Sequence, residues 1–405
     1  MNKTNIPKLR FKEFSGEWEE KRLGDYGKLI NGLTYSPNDI TDNGLLVLRS
    51  SNIQNRQLSF LDNVYVNLEV KNEYLTKQND ILICVRNGSK RLIGKNVLIN
   101  KNLEKSTHGA FMTLFRGDFN QFISHWFQTS IFYKNVHKNL GATINSINGS
   151  DLKKFKIIFP NGKQEQKKIA SFLTTVDKKI EQLTKKVELQ EQYKKSVMGK
   201  IFKQEIRFKN DDGSEFEEWE EKKLKELAIR STTKNKDSSI NNVLTNSATF
   251  GIVNQTDYFD KDIANQNNLE GYYVVKTNDF IYNPRISNHA PVGPMKRNKL
   301  SVGIMSPLYT VFRFKKINLD FIEYYFNSPL WHKYMYHIAN YGARHDRMNI
   351  TNNDFLKMPI NIPQKQEQTK IANFLSSLDK KIDSTKEQLA KTKEFKKGLL
   401  QNMFV

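Results

Sequence analysis

Arginine, lysine, asparagine and glycine residues gather in three segments of this 405-residue chain. The first segment, VRNGSKRLIGK, begins at Val85. The second begins at Asn283 and reads NPRISNHAPVGPMKRNK, and the third, YGARHDRMN, begins at Tyr341. Glycines allow a backbone to approach a ligand closely, and an arginine fork matches the geometry of phosphate groups and guanine edges. The three segments therefore predict contacts with nucleic acid.

The third segment has a counterpart in the first half of the chain, LGATINSIN from Leu140. Its asparagine and serine side chains have the chemistry to read adenine or to bind phosphate. For any single residue a solvated surface charge accounts for the pattern equally well, so the prediction concerns the loops as a group. The predicted DNA-contacting residues are Arg86, Asn87, Ser89, Lys90, Arg91, Lys95, Asn145, Asn148, Arg285, His289, Lys296, Arg297, Arg344, His345 and Arg347.

The charge balance agrees with a polyanionic partner. The chain has 64 Lys and Arg against 43 Asp and Glu, which gives a formal net charge of +21. Such an excess favours nucleic acid first and an anionic membrane surface second. The alternative is a charge that serves solubility alone. Because no window reaches the roughly 20 apolar residues of a spanning helix, we predict no membrane partner.

The motifs of an enzyme acting alone are missing. The chain has no phosphate-binding loop, no dinucleotide-binding glycine pattern and no zinc-binding histidine motif. Asn283-Pro284-Arg285 begins like the N-P-P-[FY] loop of amino-methyltransferases but lacks the second proline and the aromatic residue. Asp62 and Glu69 form a loose nuclease-like pattern that arises by chance when 26% of residues are charged. We therefore predict no catalytic residue, metal or cofactor in this chain.

The elements that position these loops belong to an internal sequence repeat that extends over most of the chain. QEQKKIASFLTTVDKKI begins at Gln164 and QEQTKIANFLSSLDKKI at Gln366, an offset of 202 residues. A shorter repeated motif lies near the start of each domain, where WEEKRL at Trp18 recurs as WEEKKL at Trp219. The period is far longer than a solenoid unit of roughly 20–50 residues. Each unit is therefore a domain plus an appendage. One explanation is that the constant parts bind the same partner twice, while the variable parts bind two different ligands.

The constant blocks have the pattern of long paired helices. Apolar residues recur at steps of three and four, Gln190 and Lys194 interrupt the first stripe, and Pro160 and Pro363 stand just before the two blocks. A narrow stripe on a helix of about 30 residues or more must pack on something, and the other helix carries a near-identical stripe. We predict an antiparallel pair rather than two surface helices that each pack on their own domain. The predicted helix-pairing residues are Leu173, Val176, Ile180, Leu183, Val187, Leu375, Leu378, Ile382 and Leu389.

The variable blocks predict mixed α+β domains. Strand-like runs include LLVLRS from Leu45 and ILICVR from Ile81, and each block also holds one aromatic-rich helical stretch, from Phe122 and from Phe321. The spacing of those aromatic residues favours a core role over base stacking. We predict an α+β chain with a pseudo-twofold internal repeat and two antiparallel coiled-coil helices between the domains. The predicted boundaries are 1–160 for domain 1, 161–205 for helix 1, 206–362 for domain 2 and 363–405 for helix 2.

The repeated pattern P-x(2,3)-Q-x-x-I-x-x-x-L-x-x-x-D-x-x-I, together with the W-E-x-x-[KR]-L openings, resembles the specificity subunits of type I restriction–modification enzymes. The resemblance covers essentially the whole chain. It implies that each domain is a target-recognition domain reading one half of an asymmetric two-part site in double-stranded DNA through the major groove, and that the helices set the unread gap. The residues that carry the pattern are Gln164, Gln166, Ile169, Leu173, Asp177 and Ile180, with Gln366, Gln368, Ile371, Leu375, Asp379 and Ile382.

The resemblance also implies partners. The helices would dock two modification subunits that methylate adenine, and two restriction subunits, which translocate and cut DNA, would join that core. Catalytic residues, adenosylmethionine, ATP and magnesium would belong to those partners. The one cysteine, Cys84, lies in an apolar run and cannot form an internal disulfide, and the N-terminus lacks an apolar signal stretch. We therefore expect a cytoplasmic protein.

Three rival classes of protein are also compatible with the sequence. An enzyme acting alone would show methyl transfer by the purified chain. An RNA-binding or structural scaffold would bind without preference for a two-part duplex site. A truncated or orphan specificity protein that regulates a system would share every feature given above.

Overall fold

The computed structural model describes residues 5–140, 145–258, 269–340 and 346–405. The chain divides into two compact units. Unit 1 comprises Met1–Lys185 with Lys386–Val405, and unit 2 comprises Lys186–Thr385. Each unit therefore contains one mixed domain and a part of each of two long helices.

The domain of unit 1 is built mainly of short strands. A four-stranded antiparallel sheet has the order β2-β11-β8-β9, a mixed sheet has the order β10-β4-β7-β3, and β1 pairs with β12. Its strands are β1 (Glu19–Arg22), β2 (Gly27–Asn31), β3 (Ile40–Thr41), β4 (Leu45–Leu48), β5 (Ile53–Gln54), β6 (Gln57–Leu58), β7 (Tyr65–Val66), β8 (Ile81–Cys84), β9 (Asn96–Leu98), β10 (Ser106–His108), β11 (Met112–Gly117) and β12 (Lys156–Phe159). Its helices are α1 (Asn120–Trp126), α2 (Ser130–Lys138) and α3 (Gly149–Lys153), followed by the long helix α4 (Lys163–Phe202).

Unit 2 repeats the main sheet with the order β14-β21-β18-β19, and β13 pairs with β22 as β1 pairs with β12. Its strands are β13 (Glu220–Lys223), β14 (Ala228–Ser231), β15 (Leu244–Ser247), β16 (Gly251–Asn254), β17 (Tyr273–Val275), β18 (Phe280–Tyr282), β19 (Met295–Arg297), β20 (Gly303–Met305), β21 (Thr310–Phe314) and β22 (Pro359–Ile362). Its helices are α5 (Leu224–Leu227), α6 (Gln255–Tyr258), α7 (Leu319–Asn327), α8 (His332–Ile338) and α9 (Asn352–Leu356), followed by the long helix α10 (Lys365–Asn402). The predicted α+β class with an internal repeat is confirmed.

The long helices pair in antiparallel directions. In unit 1 the Lys396 ammonium, near the end of α10, pairs with the Asp177 carboxylate near the start of α4. In unit 2 the order is reversed, and Lys194 near the end of α4 pairs with Asp379 near the start of α10. The interruption that the sequence shows at Lys194 is therefore an ion pair between the two helices. The predicted antiparallel pair is confirmed.

Most of the predicted seam lies away from solvent. Apolar residues at steps of three and four form one stripe on each helix, as expected for a helix with a single packed face. In unit 1 the core around the aromatic residues of α1 also includes Leu399 of α10 and the two residues Met403 and Phe404 that follow this helix. The seam residues Leu173, Val176, Leu183, Val187, Leu375 and Ile382 are buried, and Ile180, Leu378 and Leu389 are half-buried.

Each domain is fastened to the start of the following helix by a buried carboxylate. In unit 1 both Glu165 oxygens accept hydrogen bonds from the Arg10 guanidinium, at 2.7 and 2.8 Å, and the Trp18 indole donates to the same carboxylate at 3.3 Å. Glu165 is 3% exposed, so its charge depends on these partners. In unit 2 the same contact is made by Glu367, Arg207 and Trp219.

The aromatic-rich stretches are core elements, as the sequence predicts, but each is two short helices rather than one. In unit 1 the first helix ends at Trp126, and Thr129 caps the second by accepting a hydrogen bond from the Phe132 amide at 3.3 Å. In unit 2 the break falls at Pro329, which disfavours helical geometry in the residue before it. The buried aromatic residues of these helices and their links are Phe122, Trp126, Phe127, Phe132, Phe321, Tyr325, Phe326 and Trp331.

Candidate nucleic-acid interface

In unit 1 the two segments predicted to contact DNA lie side by side. The backbone of Arg86 forms an antiparallel bridge with that of Ser146. The Asn87 amide donates to the Asn145 carbonyl at 3.2 Å, and the Asn145 side chain donates to the Gly88 carbonyl at 2.9 Å. Segments that are distant in sequence therefore form one continuous surface, which we call the unit 1 loop pair (residues 86–95 and 145–148).

A glycine closes the base of this surface. The segment leaves strand β8, forms a 3-10 turn over Lys90–Leu92 and returns through Gly94 to β9. Gly94 has a φ of +83°, and a Cβ there would lie 3.1 Å from Val136 and 3.2 Å from Phe132 of helix α2. The positive φ favours glycine, and the close approach leaves little room for a side chain. The loop is thus seated against the buried face of helix α2, which fixes the position of its backbone.

The side chains of the unit 1 loop pair differ in solvent exposure and in the hydrogen bonds they make within the unit. Lys95 is half-buried, and its Nζ donates to the Ser50 carbonyl at 3.1 Å. Asn87 donates to the Ser50 hydroxyl at 3.3 Å, so both residues hold the loop against the turn at Ser50. The Arg86 guanidinium lies 5.9 Å from the centre of the Phe111 ring. The exposed polar and basic side chains are those of Arg86, Ser89, Lys90, Arg91 and Asn148.

Unit 2 has the same juxtaposition with different residues. The backbone of Arg285 forms an antiparallel bridge with that of Arg347, and the Ile286 amide donates to the Asp346 carbonyl at 3.0 Å. Arg285 and His289 are exposed, and Arg347 is half-buried. The Asp346 carboxylate lies 3.9 Å from the Arg285 guanidinium and 4.0 Å from that of Arg347, contacts that are weak at an exposed site. The predicted residues Arg344 and His345 lie outside the described part of the chain.

Two residues predicted to contact DNA form polar contacts with other side chains of unit 2. The Arg297 side chain is 14% exposed, and its guanidinium pairs with Asp320 at 2.6 Å and with Glu323 at 3.5 Å. Lys296 donates to the Asn327 side chain at 2.8 Å, and burial lowers the pKa of its ammonium group. In this structure the cationic groups of both residues tie strand β19 to helix α7, and their contact with DNA stays a prediction.

Equivalent buried ion pairs hold the sheet beneath the loops. The Asp80 carboxylate accepts hydrogen bonds from the Arg116 guanidinium at 2.8 and 2.6 Å, and this pair links β8 to β11. Asp279 and Arg313 repeat the contact at 2.8 Å between β18 and β21, and their hydrogen bond raises the pKa of Arg313. Both carboxylates are 1% exposed. In each unit the ion pair therefore fixes the start of the strand, and the loop leaves from the other end of that strand.

Sequence reasoning missed two contributors to these surfaces. The turn at Ser50 touches the unit 1 loop pair, and its only signal is a polar run, Arg49-Ser50-Ser51-Asn52, after the buried strand β4. Phe111 lies beside Arg86 and is 56% exposed. Nothing in the local pattern separates it from the buried phenylalanines around it.

The first residue of the weak nuclease-like pattern takes part in an ion pair. Asp62, which begins it, forms an ion pair with Arg49 at 2.9 Å. Within the described ranges, no group of three or more His, Cys, Asp and Glu side chains is arranged to hold a metal ion. Cys84 is buried, as its apolar setting predicts, and burial raises the pKa of its thiol to about 11.

Comparison with known proteins identifies the family. The family described as "Type I restriction modification DNA specificity domain" matches this chain twice, over residues 15–191 and 216–394. The two matches cover most of the chain, so the chain belongs to this family. It is a specificity subunit of the type I restriction–modification class with two DNA-recognition domains, as the sequence resemblance predicts.

Relatives and solved structures agree with this assignment. The type I restriction enzyme EcoKI specificity subunit of Escherichia coli is 34% identical over 158 residues, 36% of this chain and 33% of that protein. The MjaVIII specificity subunit of Methanocaldococcus jannaschii is 25% identical over 95% of this chain and 93% of its own length. The S subunit of a type I system from M. genitalium shares the fold, with a TM-score of 0.58 and 16% identity over 99% of both chains.

The helices of the described residues include none with the length and apolar character needed to cross a membrane.

Proposed function

We propose that each domain reads one half of an asymmetric, two-part site in double-stranded DNA, through the major groove. The observation that carries this proposal is the loop pair found at the same place in both domains. Arg86 bridges Ser146 in unit 1, and Arg285 bridges Arg347 in unit 2. The backbone arrangement and one arginine are shared, while Ser146 in unit 1 is replaced by Arg347 in unit 2, as expected if one scaffold reads two different base sequences.

The long helices are proposed to set the unread gap between the half-sites and to dock the modification subunits. Two observations support this role. The helix pattern occurs twice, and the two helices run antiparallel, so each presents its own copy of the same surface. We propose that two identical modification subunits, which methylate adenine, bind these copies, and that two restriction subunits join them.

Catalysis is assigned to those partners. Adenosylmethionine, ATP and magnesium would be bound by the modification and restriction subunits, and this chain would supply the DNA sequence to be read. The assembled complex would be both an adenine methyltransferase and a site-specific deoxyribonuclease acting in the cytoplasm.

The deciding experiment is methylome sequencing of cells that carry this chain with its modification subunit. A two-part motif with one modified adenine in each half is expected. A continuous motif, or none, would contradict the proposal. Removing about four residues, roughly one turn, from one long helix should change the gap or abolish binding while each half-site preference is retained.

Single substitutions test the reading surface directly. Arg86→Ala removes an exposed guanidinium and should weaken or relax recognition of the half-site read by domain 1, by about 1–3 kcal/mol if the contact is to a guanine edge. Arg297→Ala is the matched control, because that guanidinium is paired with Asp320 and Glu323. The control should leave both half-sites unchanged. Equal effects of the two substitutions would contradict the assignment of the loop pair.

A further inference from the structure

An aromatic ring stands in solvent among the cationic side chains of unit 1. Phe111 is 56% exposed, and its ring centre lies 5.9 Å from the Arg86 guanidinium. Single exposed apolar residues are common on protein surfaces, so exposure by itself decides nothing. The position of this ring within the loop pair, and the way its backbone is held, carry the argument.

The backbone under Phe111 is fixed from both sides. Its carbonyl accepts hydrogen bonds from the amides of Val85 at 3.0 Å and Arg86 at 3.1 Å. The next residue back, Ala110, donates to the Leu33 carbonyl at 2.9 Å, and the Met112 amide closes the turn. The chain thus places three backbone segments side by side, with Arg86 between Phe111 on one side and Ser146 on the other.

A glycine contact shows how tightly this turn is seated. A Cβ on Gly32 would lie 2.0 Å from the carbonyl oxygen of Gly109, a distance that no side chain tolerates. Only glycine at position 32 lets the neighbouring strand reach the turn that carries Phe111. The ring is therefore presented on a rigid support and has little freedom to fold back into the core.

Unit 2 carries an exposed apolar residue at the equivalent position. Strand register defines the equivalence, because Phe115 pairs with Ile81 in unit 1 and Phe312 pairs with Phe280 in unit 2. Four residues before Phe312 stands Leu308, which is 61% exposed. The two domains have diverged in the residues of their loops, yet both place an apolar side chain in solvent at this point.

We infer that Phe111 and Leu308 each contact the 5-methyl group of a thymine in the half-site that its own domain reads. This inference rests on the proposed function. The exposed cations beside Phe111 fit the phosphates and polar base edges, whereas the apolar group of the major groove is the thymine methyl. A leucine has no aromatic face, so the property the two residues share is apolarity. That shared property favours a methyl contact over stacking on a base.

The test uses duplexes that carry the recognised two-part sequence, with the thymines of one half-site replaced by deoxyuridine, which lacks only the methyl group. Binding is measured with the full chain assembled with its modification subunits. For the half-site of domain 1, deoxyuridine should weaken binding about fourfold, the loss expected for one buried methyl group. With Phe111→Ala, binding to the thymine duplex should fall and deoxyuridine should cause no further loss.

Leu308→Ala provides the matched control. It should abolish the deoxyuridine effect in the half-site of domain 2 and leave the effect in the other half-site intact. Phe111→Met keeps an apolar side chain and should retain sensitivity to the methyl group, which separates lost contact from lost folding. The same deoxyuridine penalty in the wild type and in Phe111→Ala would overturn the inference, as would thymine binding that does not change in that variant. Failure of the wild-type assembly to prefer the two-part site would instead overturn the proposed function.

Discussion

Acid is expected to destabilise unit 1 before unit 2, because unit 1 buries two neutral histidines. His108 is fully buried, and burial lowers the pKa of its imidazole from 6.5 to about 4. His125 is 3% exposed, and burial, assisted by the nearby Lys396 ammonium, lowers its pKa from 6.5 to about 3. Both imidazoles resist protonation in the folded unit and accept protons readily once the chain unfolds.

The sign of the effect follows from that difference. Above pH 6.5 neither the folded nor the unfolded form takes up the proton, so the full stability is present. As the pH falls below 6.5, the histidines are protonated in the unfolded form but stay neutral in the folded form. Each histidine therefore lowers the free energy of unfolding by about 1.4 kcal/mol per pH unit until its folded pKa is reached. At pH 5 His108 and His125 should each cost about 2 kcal/mol, or about 4 kcal/mol together. A typical domain has about 5–15 kcal/mol of stability in total.

Unit 2 supplies an internal comparison. Phe115 and Phe312 occupy the same register in the main sheets of the two units, and Met305 stands as far before Phe312 as His108 stands before Phe115. Met305 therefore lies where unit 1 has His108. Met305 cannot be protonated. The pKa of His332 in unit 2 is also lowered by burial, but that side chain is only half-buried, so its contribution should be smaller.

His108→Met tests the reasoning. The His108 Nε2 atom bonds to the Ile30 carbonyl at 2.9 Å, but that carbonyl also accepts from the Thr113 hydroxyl at 2.9 Å. Among the described residues, the buried His108 Nδ1 atom has no hydrogen-bond partner. Removing the imidazole therefore leaves no new unpaired group, and stability at pH 7 should change by about 1 kcal/mol or less. At pH 5 the variant should be about 2 kcal/mol more resistant to acid than the wild type.

The measurement is urea unfolding at pH 7 and pH 5, together with amide hydrogen exchange read by mass spectrometry, which reports the two units separately. Exchange rates are corrected for the intrinsic effect of pH. The reasoning is refuted if unit 2 loses protection first, or if His108→Met loses as much stability between pH 7 and pH 5 as the wild type.

Further substitutions test the ion pairs. Asp177→Ala leaves the Lys396 ammonium, whose side chain is 9% exposed, without its carboxylate and should cost about 3 kcal/mol in urea unfolding. Asp379 also accepts a hydrogen bond from the Tyr324 hydroxyl at 2.7 Å, so Asp379→Ala is compared within a Tyr324→Phe background. There it should cost less, about 1 kcal/mol, because Lys194 is 22% exposed and water can replace part of the lost contact; equal costs would contradict the role of burial. Glu165→Gln removes the charge that fastens domain 1 to helix α4 and should cost about 2 kcal/mol, whereas an unchanged midpoint would show that the contact is not stabilising.

The long helices could be predicted because their signal is local and occurs twice. A stripe at steps of three and four is fixed by helix geometry alone, and the near-identity of the two stripes indicates the partner. The aromatic stretches were harder to predict correctly, because the helical spacing of their apolar residues continues through the point where one short helix ends and the next begins. Thr129 and Pro329 end the helical run, and a cap or a proline outweighs periodicity at a single position.

The loop residues could be predicted as a group but not one by one. Arg86 and Arg297 look alike in sequence, since each is a basic residue in a segment that also contains glycine and asparagine. Their fates differ because Asp320 and Glu323, on helix α7, reach Arg297 only in the folded unit. The exposure of Phe111 likewise depends on tertiary contacts at its backbone, which no local pattern contains.

The duplicated parts of this chain are those whose change would be most costly. Removing one partner of a buried ion pair leaves an unpaired charge in the core, at a cost of about 3–5 kcal/mol. The pair Asp80 and Arg116 recurs as Asp279 and Arg313 with the same geometry. An exposed residue such as Arg86 has no such penalty, because a surface substitution usually changes stability by about 0.5 kcal/mol or less. The buried ion pairs are therefore retained in both units, whereas exposed residues of the loops above them differ.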